Sequence, residues 1–252
     1  MKPQNIYDNQ EFFDSYKELR SKSDSANDLE EKPALFSLLP NLEGKIILDL
    51  GCGYGENCAK FLEMGAKNAI GVDLSEKMLE VAKKERPEIT FLRGDMNDLS
   101  TIASNTEIPR SYDIIISSLA IHYIPDFKKL AEEVYSMLTP DGYFIFSQEH
   151  PLNTAPINGI KWERDENNNA LYYHLTDYTK TGERSVNWLV NGVIKYHRTF
   201  ADLINALSEA GFTVERILEP APTPEIIAIS PKRAKNVHKP NFLLIKAKKC
   251  SK

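Results

Sequence analysis

The chain has 252 residues, 42% of them hydrophobic, enough to bury the core of one α/β domain with an elaboration, and this composition excludes a mainly disordered state. A formal net charge of −5 argues against a nucleic-acid partner, because neutralising phosphates takes a surplus of Lys and Arg. Cys52, Cys58 and Cys250 have no metal-ligand spacing, no apolar run reaches the ~18 residues of a membrane span, and the N-terminus lacks the apolar core of a signal peptide, so the expectation is a cytoplasmic protein with reduced thiols, no bound metal and no membrane contact.

Residues 1–40 read as helical. Asp8 or Asn9 can cap a segment in which Phe12, Phe13, Tyr16 and Leu19 share a face, and a second helix runs from Leu29 to Leu39 with Pro33 in its first turn and Pro40 at its end. From Lys45 to Gln148 short apolar runs at 45–50, 68–72, 89–93, 112–118 and 142–147 alternate with helical patterns at about 55–64, 75–85 and 126–138. Continuous apolar strands between helices specify βαβ units and a mostly parallel sheet with both faces covered. Gly65 stops the first helix, Ser75 caps the second, and Pro140-Asp141-Gly142 is a turn before the fifth strand.

Residues 149–198 break this rhythm with Trp162, Tyr172, Tyr173, Tyr178, Trp188 and Tyr196. Asn167-Asn168-Asn169 and Lys180-Thr181-Gly182 read as turns, and Val186–Val190 with Val193–Tyr196 as a hairpin turning at Asn191-Gly192. An insertion here leaves the sheet at its carboxyl edge, where open α/β folds bind ligands, so it is expected to form a substrate cap. A helix from Thr199 or Asp202 through Ala210, stopped by Gly211, leads to two last strands, Phe212–Leu218 and Asn241–Lys248. The connection Glu219–Pro240 is expected to be a surface loop, its Lys232, Arg233 and Lys235 solvated.

The stretch Leu48-Asp49-Leu50-Gly51-Cys52-Gly53-Tyr54-Gly55 joins the first strand to the first helix. Its glycines let backbone approach a ligand closely, and the helix N-terminus favours an accepting group there. Asp73 ends the second strand about 20 residues on, where a Rossmann-like unit places the carboxylate that grips a ribose. The order G-x-G-x-G departs from the dinucleotide fingerprint G-x-G-x-x-G. Together with Gly71-Val72-Asp73-Leu74-Ser75-Glu76-Lys77-Met78-Leu79, Gly94-Asp95-Met96 and Tyr112-Asp113-Ile114-Ile115-Ile116-Ser117-Ser118, the stretch resembles the class I S-adenosylmethionine-dependent methyltransferases, small-molecule type.

The resemblance implies a seven-stranded sheet of order 3-2-1-4-5-7-6 within a domain over residues 41–252, a cap insertion at about 149–198, and an N-terminal segment over 1–40 covering the cofactor cleft. It implies S-adenosyl-L-methionine as cofactor and S-adenosyl-L-homocysteine as product. Asp49 would hold the cofactor's amino group, Gly51, Cys52, Gly53 and Gly55 its backbone approach, and Asp73, with Leu74 and Met78 behind it, the ribose. Asp95 and Met96 would meet the adenine, and Ser117 and Leu119 the methionyl end. Each has a plain alternative as a turn, a cap or a packing residue.

Methyl transfer is an in-line displacement, so holding donor and acceptor in place supplies much of the rate, and a base is needed only if the acceptor must first lose a proton. His122 and His150 are the candidate bases, and Tyr123, Glu149 and Arg198 the candidate substrate contacts, Arg198 because its planar fork suits a carboxylate or phosphate. The expected reaction is methylation of a small-molecule acceptor. Alternatives are a cofactor-binding protein without turnover and a nicotinamide oxidoreductase.

Overall fold

The computed structural model describes residues 5–20, 24–158 and 161–250. Before the sheet come α1, Gln10–Arg20, and α2, Lys32–Ser37. The α/β core follows as β1 Ile46–Leu50, α3 Glu56–Glu63, β2 Asn68–Asp73, α4 Glu76–Glu85, β3 Thr90–Arg93, α5 Ser100–Ala103, β4 Tyr112–Ser117, α6 Phe127–Met137 and β5 Leu138–Glu149. The insertion holds α7 Pro151–Thr154 and two hairpins, β6 Trp162–Arg164 with β7 Ala170–Tyr173, and β8 Gly182–Trp188 with β9 Val190–His197. The chain then forms α8 Phe200–Glu209, β10 Phe212–Leu218, α9 Pro224–Ile229 and β11 Phe242–Lys249.

Seven strands make one sheet in the order β10-β11-β5-β4-β1-β2-β3, with β11 antiparallel to both neighbours. Setting the hairpin strands aside, this is the expected 3-2-1-4-5-7-6. Alternate residues of each strand feed opposite faces. Leu48, Leu50, Ile70, Val72 and Ile115 join the α6 and α8 side, while Ile47, Ile114, Ile116 and Ile145 pack with Cys58, Phe61 and Leu79 of the α3 and α4 side. Each Leu, Ile, Val and Phe among them stabilises the fold by about 1.5–3 kcal/mol. Together they outweigh the cost of burying one carboxyl, Asp49, among them.

Four local expectations are corrected. The β8–β9 hairpin turns at Leu189, with φ 61°, so that Trp188 pairs with Val190; Asn191 and Gly192 instead form a bulge opposite Asn187, Gly192 supplying φ 76°. The N-terminal helix before β1 opens with a wide π turn, Asn27–Glu31, ahead of α2, because Pro33 has no N–H and its ring crowds the preceding turn. Pro140-Asp141-Gly142 falls inside β5, where Asp141 at φ 60° and a register shift take up the turn. The connection Glu219–Pro240 is ordered into α9 and a 3-10 helix, Pro231–Val237, which buries Arg233 and Asn236. No helix among the described residues is long and apolar enough to cross a membrane.

Candidate functional site

The carboxyl ends of β1, β2, β4 and β5 open into one cavity of about 950 Å3, roofed by the N-terminal segment, the β8–β9 hairpin and the Pro231–Val237 turn. At its floor, Asp73 Oδ2 accepts from the Gly53 N–H at 2.8 Å and Oδ1 from the Ser75 N–H at 2.9 Å. Burial pushes the Asp73 carboxyl up, and those N–H donors oppose the shift. Gly51, Cys52, Gly53, Asp73, Leu74, Met78, Asp95, Met96 and Leu119 all line the cavity. Asp95 Oδ1 accepts from both the backbone and the side-chain amide of Asn97, at 2.8 and 2.7 Å, which fixes the 94–97 turn.

The three glycines have different tasks. A Cβ on Gly51 would fall 2.6 Å from the Ala120 Cβ, whereas one on Gly53 would meet nothing within 4 Å. Gly55 does not line the cavity; with φ 75° it enters α3, and the Phe91 ring stands where its Cβ would go. Its need is packing and a left-handed turn, not ligand approach.

Asp49 and Ser117 also lie behind the lining. Asp49 is fully buried, accepts from the Cys58 thiol at 3.6 Å, and keeps Oδ1 without a hydrogen-bond partner. Burial pushes its carboxyl up to about 7. Ser117 Oγ donates to the Leu50 carbonyl at 2.8 Å, tying β4 to β1.

Of the two histidines, only His122 faces the cavity. Its Nδ1 accepts from the Glu149 N–H at 3.4 Å, which leaves the proton on Nε2, and burial lowers its pKa to about 3. His150 is corrected: it caps α7, its Nδ1 accepting from the Leu152 N–H at 3.1 Å, and its Nε2 lies 2.7 Å from Glu219, away from the lining. Arg198 is corrected too. Its guanidinium sits 5.7 Å over the Phe127 ring, outside the lining, and burial lowers its pKa to about 10.

Tyr123 and Glu149 do line the cavity. Glu149 accepts from Lys195 Nζ at 2.6 Å; burial opposes the charge, but the Lys195 ammonium outweighs it and holds the carboxyl below its usual range. Lys195 in turn lies 4.7 Å over the Trp188 ring and 5.9 Å over Tyr123. Trp188 meets Phe12 and Tyr16 edge-on at 5.4 and 6.2 Å, and Tyr7 meets Tyr123 at 6.1 Å. The insertion and the N-terminal segment therefore share one aromatic wall. Sequence reasoning did not assign Tyr7, Tyr16, Trp188 or Lys195 to a site; the aromatics among them had only an aromatic-rich composition as a signal, and Lys195 had none. Lys232 and Arg233 line the cavity as well, each held by an acid of the N-terminal segment, Lys232 by Asp24 at 2.6 Å and Arg233 by Glu30 at 3.2 Å.

Residues 48–146 match a family model described as a methyltransferase domain. An uncharacterized protein of Haemophilus influenzae is 40% identical over 253 residues, 98% of each chain. The crystal structure of an S-adenosylmethionine dependent methyltransferase from Mesorhizobium loti superposes with a TM-score of 0.77 at 37% identity, covering 89% of this chain and 98% of that one. The chain belongs to the class I S-adenosylmethionine-dependent methyltransferases. Arsenite methyltransferase of Mus musculus is 35% identical over 128 residues, 46% of this chain but 33% of that enzyme. In this methyltransferase the Asp73 carboxylate opens on the cavity beside Gly53, which has free space where a Cβ would stand, and the unpartnered Asp49 Oδ1 lies behind the same loop.

Proposed function

We propose that this methyltransferase methylates a small-molecule acceptor held beside the cofactor in the roofed cavity. The observation that carries the reading is the roof. Tyr7 and Tyr16 of the N-terminal segment and Trp188 of the insertion come from two stretches of chain and pack over the sheet edge, which leaves a chamber of metabolite size instead of a groove open to a polymer.

S-adenosylmethionine, when bound, supplies a methyl group on a positively charged sulfur, open to in-line displacement. Asp73 is suited to accept from ribose hydroxyls while Gly53 keeps its loop clear, and Asp95 and Met96 are suited to the adenine. Asp49 answers an ammonium group from behind the loop, directly or through water. The segment 5–20 and the insertion 149–198 then act as the two halves of the cover. His122 serves as a neutral donor through Nε2, because its other nitrogen is already occupied and a group of pKa about 3 is too weak a base at neutral pH. Glu149, held ionised by Lys195, orients a donor group on the acceptor.

This favours an acceptor that reaches the site as a ready nucleophile, and catalysis by placement. The net charge of −5 and the absence of helices long enough to span a membrane among the described residues agree with a cytoplasmic enzyme acting on a dissolved metabolite. Soaking crystals with S-adenosylhomocysteine tests the reading: density on Asp73 with free space left beside Trp188 and Tyr123 supports it, and a ligand that fills the whole chamber contradicts it.

A further inference from the structure

Glu31 has no part in the expected site, yet it is fully buried against it. It stands at the end of the π turn before β1, and its Oε1 accepts from Ser118 Oγ at 2.9 Å and Ser147 Oγ at 2.5 Å. Ser147 Oγ also accepts from the Leu119 N–H at 3.0 Å, and the Ser147 carbonyl accepts from the same N–H at 3.1 Å. Leu119 has φ 52°, a left-handed conformation that costs a branched residue and persists only where its surroundings impose it. The turn it makes presses Ala120 against Gly51 of the glycine loop, and Ser118, Leu119 and Ala120 all line the cavity.

The register explains the meeting point. Asp49 pairs with Ile116 and Ile116 with Ile145, so Ser118 and Ser147, each two residues further on, share the face to which Asp49 belongs. Glu31 comes down on that face from the N-terminal segment. As a stabilising contact it is a poor choice. Two neutral hydroxyls meet one oxygen, the other oxygen has no hydrogen-bond partner, and burial raises its pKa. A side chain that costs stability where it stands calls for another use.

We infer that Glu31 is a positioning residue, whose carboxyl oxygen gathers Ser118 and Ser147 and so holds the strained turn at Leu119 against the glycine loop as a wall of the cofactor pocket. The inference rests on that pocket being the cofactor's, and it links the N-terminal cover to the end of β4. Order in the cover thus sets the shape of the pocket.

Titration calorimetry with S-adenosylhomocysteine tests it, with melting curves to confirm folding. Glu31→Met removes the acceptor oxygen and is expected to weaken binding about tenfold or more, since small misplacements of a binding wall are costly. Glu31→Gln keeps that oxygen and is expected to bind within roughly threefold of wild type. Should Glu31→Met fail to fold, Ser147→Ala breaks the same chain of bonds and is expected to show the same loss. Binding by Glu31→Met at wild-type strength, or binding by Glu31→Gln as weak as by Glu31→Met, overturns the inference. Binding by the wild-type protein, measured first, tests the pocket itself; the comparison among variants tests Glu31.

Discussion

The Gly53 N–H donates to Asp73 Oδ2 across 2.8 Å, so the acid at the end of β2 shapes the loop at the end of β1. A second N–H, from Ser75, reaches the other oxygen of the same carboxylate. Asp73→Ala removes both acceptors along with the group suited to the ribose. Charge-assisted hydrogen bonds of this kind contribute about 1.5–3 kcal/mol each, so the affinity for S-adenosylhomocysteine is expected to fall about 100-fold by calorimetry. A change within roughly threefold contradicts the assignment.

Gly71 and Gly53 are expected to respond differently to a methyl group. A Cβ on Gly71 would fall 2.5 Å from the Phe91 ring and 2.8 Å from the Cys52 sulfur, in a packed interior. Overpacking of this kind costs about 1–3 kcal/mol, so Gly71→Ala is expected to melt several degrees below wild type. Gly53→Ala meets open space at φ 53° and is expected to cost only the left-handed strain, about 1–2 kcal/mol, while placing its methyl in the ligand's path. Melting curves for the pair, with calorimetry on Gly53→Ala, separate the packing effect from the binding effect.

His122 and Asp49 give stability opposite slopes with pH. The His122 pKa falls from 6.5 to about 3 in the fold, so below pH 6.5 the unfolded chain takes a proton that the folded one refuses, and stability drops as pH falls toward 3. The Asp49 pKa rises from 3.8 to about 7, so between these values the folded chain holds a proton that the unfolded one has released, and stability drops as pH rises toward 7. Relative to wild type, His122→Asn is expected to gain stability as pH falls through its window, and Asp49→Asn as pH rises through its own. Urea denaturation at pH 4.5, 5.5 and 7, about evenly spaced across both windows, checks the two signs.

The Glu30–Arg233 pair fastens the Pro231–Val237 turn to the N-terminal segment, its partners 3.2 Å apart and both buried. Asn236 Nδ2 also donates to Glu30. Removing one partner, as in Arg233→Met, leaves a buried charge and is expected to cost about 3–5 kcal/mol, while Glu30→Leu combined with Arg233→Met is expected to cost clearly less than the sum of the two single changes. Additive losses in a denaturation cycle contradict a coupled pair.

The sheet was legible because strands covered on both faces are continuous apolar runs, and the caps at Ser75 and the Thr199–Asp202 box stand next to the helices they start. The floor of the cavity was legible for the same reason, since its residues follow strand ends in order. The roof depends on partners far apart in sequence. Lys232 and Arg233 read as solvated charge because Asp24 and Glu30, which hold them, stand some 200 positions earlier. Trp188 could not be told from hairpin packing until Phe12 and Tyr16 were seen against it. Gly55 matched a pattern, but only the position of Phe91 reveals what its missing Cβ is for. Strand register likewise lay beyond local pattern: Asn191-Gly192 has the composition of a turn, and pairing of Trp188 with Val190 makes it a bulge.

The small-molecule acceptor is the central claim, and transfer of a deuterated methyl group tests it most directly. The protein is incubated with trideuteromethyl S-adenosylmethionine and a cell extract divided into metabolite, protein and nucleic-acid fractions, and each fraction is searched by mass spectrometry. The expected result is a labelled product confined to the metabolite fraction, formed together with S-adenosylhomocysteine and abolished by Asp73→Ala. Label carried by protein or nucleic acid, with the metabolite fraction unlabelled, would contradict the claim.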